Sequence, residues 1–75
     1  MKTLKLKTMN KISEIQERVE KLEGMINNCY RIIGLYYCMK HPNREKLMEI
    51  NKNNVGRLIR EKEELELEKQ KLMSN

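Results

Sequence analysis

Three side chains in the middle of the chain are of types that bind metal ions. Cys38 and His41 stand as C-x2-H, and Cys29 lies nine residues upstream. Zinc sites use about four protein ligands, whereas one chain offers three at most, so a Cys2His2 site would need Cys38 and His41 from two copies. The simpler interpretation makes Cys29 a small core residue and lets Cys38 and His41 end a helix. We therefore predict no metal site and no cofactor.

A second group of residues is suited to nucleic acid. Residues 49–60, EINKNNVGRLIR, contain Lys52, Arg57 and Arg60 among three asparagines, and such side chains contact phosphates and bases. Lys5 and Lys7 add positive charge in a basic stretch at residues 1–8. The favoured interpretation of these residues is a solvated helix face, and nucleic-acid binding to RNA or DNA is kept as the alternative function.

The same basic stretch permits a strand. Residues 2–8, KTLKLKT, alternate as a short strand does, and the order strand, helix, helix is that of ribbon-helix-helix repressors, which insert paired strands into the DNA major groove. That interpretation would divide the following helix at Gly24. The unbroken apolar periodicity through Gly24, described below, argues against it.

Residues that would make an enzyme are missing. The chain has no Asp, a single His, no glycine-rich phosphate loop and no pairing of a nucleophile with a base. We therefore expect a non-catalytic protein.

The stretch INNCYRIIGLYYC, residues 26–38, holds all three tyrosines and both cysteines in a chain that is 36% charged. Tyrosine suits the edge of a protein interface, because its ring can be buried while its hydroxyl finds a polar partner. We predict a protein-binding surface here, with Arg31 and Lys40 attracting an acidic partner. Its apolar contacts are Tyr30, Ile32, Leu35 and Tyr37.

A helix must position these residues. From Ile12 onward apolar residues recur at steps of three and four, which is the pattern of a heptad seam rather than of a strand. The seam comprises Ile12, Ile15, Val19, Leu22, Ile26, Cys29, Ile33 and Tyr36. It predicts one helix over residues 9–39, preceded by the basic arm of residues 1–8.

Pro42 predicts a turn at residues 40–43, because proline disfavours helical geometry in the residue before it and lacks an N–H group. A second helix is predicted over residues 44–73, with Asn43 as a candidate N-cap. Its weaker seam comprises Met48, Asn51, Val55, Leu58, Lys62, Leu65, Lys69 and Leu72. A short connection makes the helices antiparallel, and the apolar levels then match, for example Ile26 with Leu58.

The predicted fold is therefore all-α: an antiparallel, coiled-coil-like two-helix hairpin. Between Ile26 and Met39 the apolar arc widens to roughly half of the helix, more than one partner helix can cover. Because a chain of 75 residues buries little core by itself, we expect a homodimer that forms a four-helix bundle.

The net charge of +5 permits an acidic protein, nucleic acid or an anionic surface as partner. No apolar stretch approaches the roughly 20 residues that span a bilayer, and no secretory signal is recognised, so we expect a cytoplasmic protein with no membrane partner. The expected function is a protein–protein interaction module, a small regulator or inhibitor that acts as a homodimer and binds another protein.

Overall fold

The computed structural model describes residues 2–74, with side chains described from Leu6 onward. These residues form two helices, α1 (Lys2–Cys38) and α2 (Arg44–Ser74). The helices pack side by side and antiparallel in a rod of 60 × 14 × 12 Å. The predicted all-α helical hairpin is confirmed, and no strand occurs within residues 2–74.

The predicted seams hold along both helices, since each of their sixteen residues is buried or half-buried. The fully enclosed part of the core lies midway along the rod. Leu22 is 0% exposed and forms a cluster with Ile26, Val55 and Leu58, which agrees with the predicted match of Ile26 with Leu58.

Local hydrogen bonds close the turn at residues 39–43. The Asn43 carbonyl accepts the N–H of Leu47 at 3.0 Å, which places Asn43 at the predicted N-cap position. The His41 side chain also takes part, because its Nδ1 accepts the N–H of Asn43 at 3.1 Å and its ring meets the edge of Tyr36. His41 thus lies in the predicted turn, and its side chain contributes to closing it.

The first helix begins earlier than predicted, at Lys2 instead of Met9. Lysine and leucine are strong helix formers, so the backbone of residues 2–8 continues α1 and is neither a separate arm nor a strand. Gly24 lies inside the same unbroken helix, so the strand–helix–helix interpretation is wrong. At the turn the bounds agree closely, with α1 ending at Cys38 and α2 beginning at Arg44.

Neither helix, as far as residues 2–74 are described, holds an apolar segment of the length needed to cross a membrane.

Candidate protein-interaction surface

Polar pairs close both broad sides of the hairpin in the half far from the turn. On one side Lys11 lies 3.9 Å from Glu68, and Arg18 donates to Glu61 at 2.9 Å. Each pair is one heptad from the next, as expected where the flanking rows of two antiparallel helices face each other. We call this part of the rod, residues 2–23 with 61–74, the outer half.

The opposite side of the outer half is closed by lysines of the α2 seam. Lys69 Nζ donates to Gln16 Oε1 at 2.7 Å, and Lys62 Nζ lies 3.3 Å from Glu23 and 3.7 Å from Glu66. These lysine stems cover the seam while their ammonium groups reach carboxylate and amide oxygens at its edge.

Toward the turn the first of these sides becomes apolar. Residues seven apart lie on the same face of a helix. On α1 the face of Lys11 and Arg18 continues toward the turn with Met25, Ile32 and Met39. On α2 the face of Glu68 and Glu61 continues toward the turn with Asn54 and Leu47. Leu35 and Ile50 lie three residues beyond Ile32 and Leu47 on the same helix surfaces. We call the six apolar residues the apolar side: Met25, Ile32, Leu35, Met39, Leu47 and Ile50.

Much of the apolar side is open to solvent. Leu35 is 54% exposed, Met39 51%, and Met25 and Ile50 47% each, while Ile32 and Leu47 are half-buried. Isolated exposed apolar residues are ordinary, but a contiguous patch on a monomer commonly marks an interaction site.

The other broad side carries the tyrosines. Gln16 and Glu23 continue by sevens to Tyr30 and Tyr37, which are 54% and 71% exposed. Gly34 lies between the two tyrosines at a spacing of four and three residues, and a Cβ placed on it meets nothing within 4 Å. Tyr30, Gly34 and Tyr37 form what we call the tyrosine side.

The seam is most enclosed midway along the rod and less enclosed toward both ends. On α1, Ile15, Val19, Leu22 and Ile26 are buried, whereas Ile12 at one end and Cys29, Ile33 and Tyr36 toward the turn are half-buried. On α2, Val55 and Leu58 are buried, whereas Met48 toward the turn and Leu65 and Leu72 toward the other end are half-buried. In the turn half of the rod, residues 24–60, the seam beyond Ile26 is therefore only partly covered.

The predicted protein-binding residues lie on two surfaces. Residues two apart on a helix do not face each other, so Tyr30 and Tyr37 lie on the tyrosine side while Ile32 and Leu35 lie on the apolar side. Arg31 is exposed four residues before Leu35, and Lys40 is exposed in the turn.

Four residues of the apolar side were missed as site residues: Met25, Met39, Leu47 and Ile50. Their signal in the sequence is the seven-residue row that begins at Lys11.

The residues predicted for nucleic acid form two separate groups. Lys52, Arg57 and Arg60 are exposed on α2, and Lys7 is exposed near the start of α1. From the Lys11–Glu68 pair and a rise of 1.5 Å per residue, Lys7 and Arg60 are about 18 Å apart along the rod. The Lys5 side chain lies outside the described part of the chain.

The metal-binding residue types are dispersed. Cys29 is half-buried at the seam, Cys38 is exposed, and both thiols are free. Within the described residues, no group of three His, Cys, Asp or Glu side chains is arranged to hold an ion.

Charge is distributed unevenly between the two halves of the rod. The turn half carries seven basic and two acidic residues, a formal net charge of +5. The outer half carries nine basic and nine acidic residues, a formal net charge of zero. The surface near the turn is therefore cationic as well as apolar.

Comparison with protein-family models, with curated proteins and with solved structures finds no match to this chain.

Proposed function

We propose that this chain is a non-catalytic protein–protein interaction module, which acts as a homodimer through its apolar side. The observation that carries the proposal is the unequal closure of the hairpin. Polar pairs bridge the two helices on both sides of the outer half, where Leu6, Met9, Leu67 and Met73 are nevertheless exposed. The turn half exposes four large apolar residues on one side, where no such pair of described residues bridges the helices.

The occupant proposed for the apolar side is a second copy of the chain. The patch is uncharged along its α1 rows from Met25 to Met39, so α1 brings no like charges into a contact between two copies there. Covering it would also enclose Cys29 and Ile33 further, which gives the seam of the turn half the burial that one hairpin lacks.

The tyrosine side remains accessible on each copy of such a dimer, and it is the surface proposed for a different protein. Tyr30 and Tyr37 provide rigid amphipathic contacts. Arg31, Lys40 and the net positive charge of the turn half favour a partner with an acidic surface. A small regulator or inhibitor that binds its target in this way is the function we propose.

Sedimentation of matched variants tests the homodimer. Leu35→Glu places a charge on the apolar side, and Leu67→Glu is the control, because Leu67 is similarly exposed at 58% but lies on the outer half. We expect a dimer for the unmodified chain and for Leu67→Glu, and a monomer for Leu35→Glu. A monomeric unmodified chain, or equal association of the two variants, would refute the homodimer.

The second protein is tested by affinity capture with the unmodified chain and with Tyr37→Ser. A protein that is retained by the unmodified chain and lost with Tyr37→Ser, while both chains remain dimers, supports the tyrosine side as its binding surface.

Retention of nucleic acid at low salt, lost steeply as salt rises, would instead favour the alternative function. In that case Arg57→Gln combined with Arg60→Gln should weaken nucleic-acid binding.

A further inference from the structure

We propose that one exposed face of α2 binds the phosphate backbone of a nucleic acid. The face is formed by Asn53, Gly56, Arg57 and Arg60, with Lys52 at its edge, and we call it the arginine face. The inference goes beyond the proposed function and does not depend on the homodimer, because the arginine face includes no residue of the apolar side or of the tyrosine side.

Helix geometry places these residues together and away from α1. Asn53, Gly56, Arg57 and Arg60 follow one another at steps of three, one and three residues, which is the spacing of a single helix face. All four are exposed, whereas Val55 between them is buried in the core between the helices. The arginine face therefore points to solvent on the side of α2 opposite the seam.

The cations of this face have no carboxylate partner within the hairpin. Among the side chains that the structure describes, Lys52, Arg57 and Arg60 take part in no ion pair, while three basic residues of the outer half are each paired with a glutamate. No Asp or Glu lies between Glu49 and Glu61, so carboxylates begin only beyond the two ends of the face. Its guanidinium groups are thus available to donate hydrogen bonds to an anion.

Gly56 opens the centre of the face to close approach. It lies between Lys52 and Arg60, each four residues away on the same helix surface. A Cβ placed on Gly56 meets nothing within 4 Å and its φ is not positive, so neither packing nor backbone geometry in the hairpin requires glycine there. Gly24 and Gly34 are equally open, but neither has a cation on both sides. At Gly56 a sugar–phosphate chain can lie directly on the helix backbone, flanked by positive charge.

The composition of the face favours nucleic acid over a protein partner. All five of its residues are polar or glycine, whereas a protein interface has an apolar core. A guanidinium group can bind two phosphate oxygens at once. The asparagine amide donates to phosphates and to base edges. From Lys52 to Arg60 the face extends about 12 Å along α2, and its cations contact the backbone of a strand laid across it.

Titration of the unmodified chain with a single-stranded RNA and with a duplex DNA of matched length tests the inference. We expect binding to at least one of them at low salt, with an affinity that falls steeply as salt rises. Arg57→Gln combined with Arg60→Gln should weaken this binding by about tenfold or more and lower the salt slope by roughly two. Absence of binding to both nucleic acids at low salt would overturn the inference.

Lys21→Gln combined with Lys71→Gln is the matched control. Both lysines are exposed, neither is in an ion pair among the described side chains, and the net charge falls by the same amount. The control should keep most of the affinity of the unmodified chain. An equal loss in the control, or equally tight binding of polyglutamate by the unmodified chain, would show attraction by net charge alone and would overturn the arginine face.

Gly56→Ala separates binding from stability. Its methyl group should stabilise the helix yet weaken nucleic-acid binding by about threefold or more, because it stands where the sugar–phosphate chain approaches. Gly24→Ala introduces the same methyl group at an equally open helical position and should stabilise the chain without changing the affinity. Equal affinities of the two variants would overturn the close approach at Gly56.

Discussion

Individual positions of the two helices are either enclosed in the core or open to solvent. Leu22 is fully buried, whereas Gly24, Gly34 and Gly56 lie in open helical positions. The described glycines have no positive φ, so an ordinary side chain fits their backbone. The two kinds of position therefore respond to substitution in opposite directions.

Replacing Gly24 or Gly56 with Ala should raise the free energy of unfolding by about 0.5–1 kcal/mol each, because Ala loses less backbone entropy than Gly in a helix. Urea titration followed by circular dichroism measures this. Gly34→Ala should stabilise by the same amount if the tyrosine side is free. A destabilising Gly34→Ala beside two stabilising variants would reveal a backbone packed against Gly34 in the dimer.

Leu22→Ala truncates the most deeply buried side chain and should lower the free energy of unfolding by about 2–5 kcal/mol. The total stability of a chain this short is of comparable size, so we expect loss of most helical signal at 25 °C. Leu67→Ala, at an exposed leucine, is the control and should change the free energy of unfolding by no more than about 0.5 kcal/mol. Similar effects at the two leucines would contradict the described core.

At the scale of the helices, polar residues in the seam of α2 affect the alignment of the two helices as well as the stability of the hairpin. Lys62 and Lys69 occupy seam positions, yet they pair with residues of α1 at its edge. Polar residues at such positions specify register at a cost in stability. An alternative alignment of the helices would leave these ammonium groups without their oxygens.

Lys62→Leu combined with Lys69→Leu should therefore raise the melting temperature. The same variant should also form a mixture of oligomers in place of one species. The larger apolar surface of the outer half would offer a second contact between copies. Circular dichroism and sedimentation measure the two effects. Lys52→Leu with Lys71→Leu, at exposed positions off the seam, is the control. A single sharp dimer in the seam variant would show that these lysines do not specify the assembly.

The sequence predicts the helices well where a local rule applies. Pro42 and Asn43 locate the turn, and the three-four spacing locates the seam through Gly24. The start of α1 was missed because KTLKLKT contains good helix formers in an order that also suits a strand. Residue types alone place the candidate site near the turn, and that placement stays a prediction. Its division into two sides depends on spacings of two, three and seven residues along the helices. The extent of exposure there could not be predicted, because it depends on how far α2 covers Cys29 and Ile33.

At the scale of the whole molecule, a chain whose turn half leaves its core half-covered should depend on its partner for stability. Binding that occurs only in the folded state adds to the apparent free energy of unfolding, and the addition grows with concentration. A homodimer would therefore couple folding to association.

The melting temperature of the unmodified chain should accordingly rise by roughly 5–10 °C over a hundredfold increase in concentration, given how association energy converts to melting temperature at this size. Leu35→Glu should melt lower and show no such rise, because the apolar side is then charged. Leu67→Glu should keep the rise, since its substitution lies outside the contact. Melts followed by circular dichroism at matched concentrations measure all three. A concentration-independent melt of the unmodified chain would mean that one hairpin is stable with its apolar side uncovered.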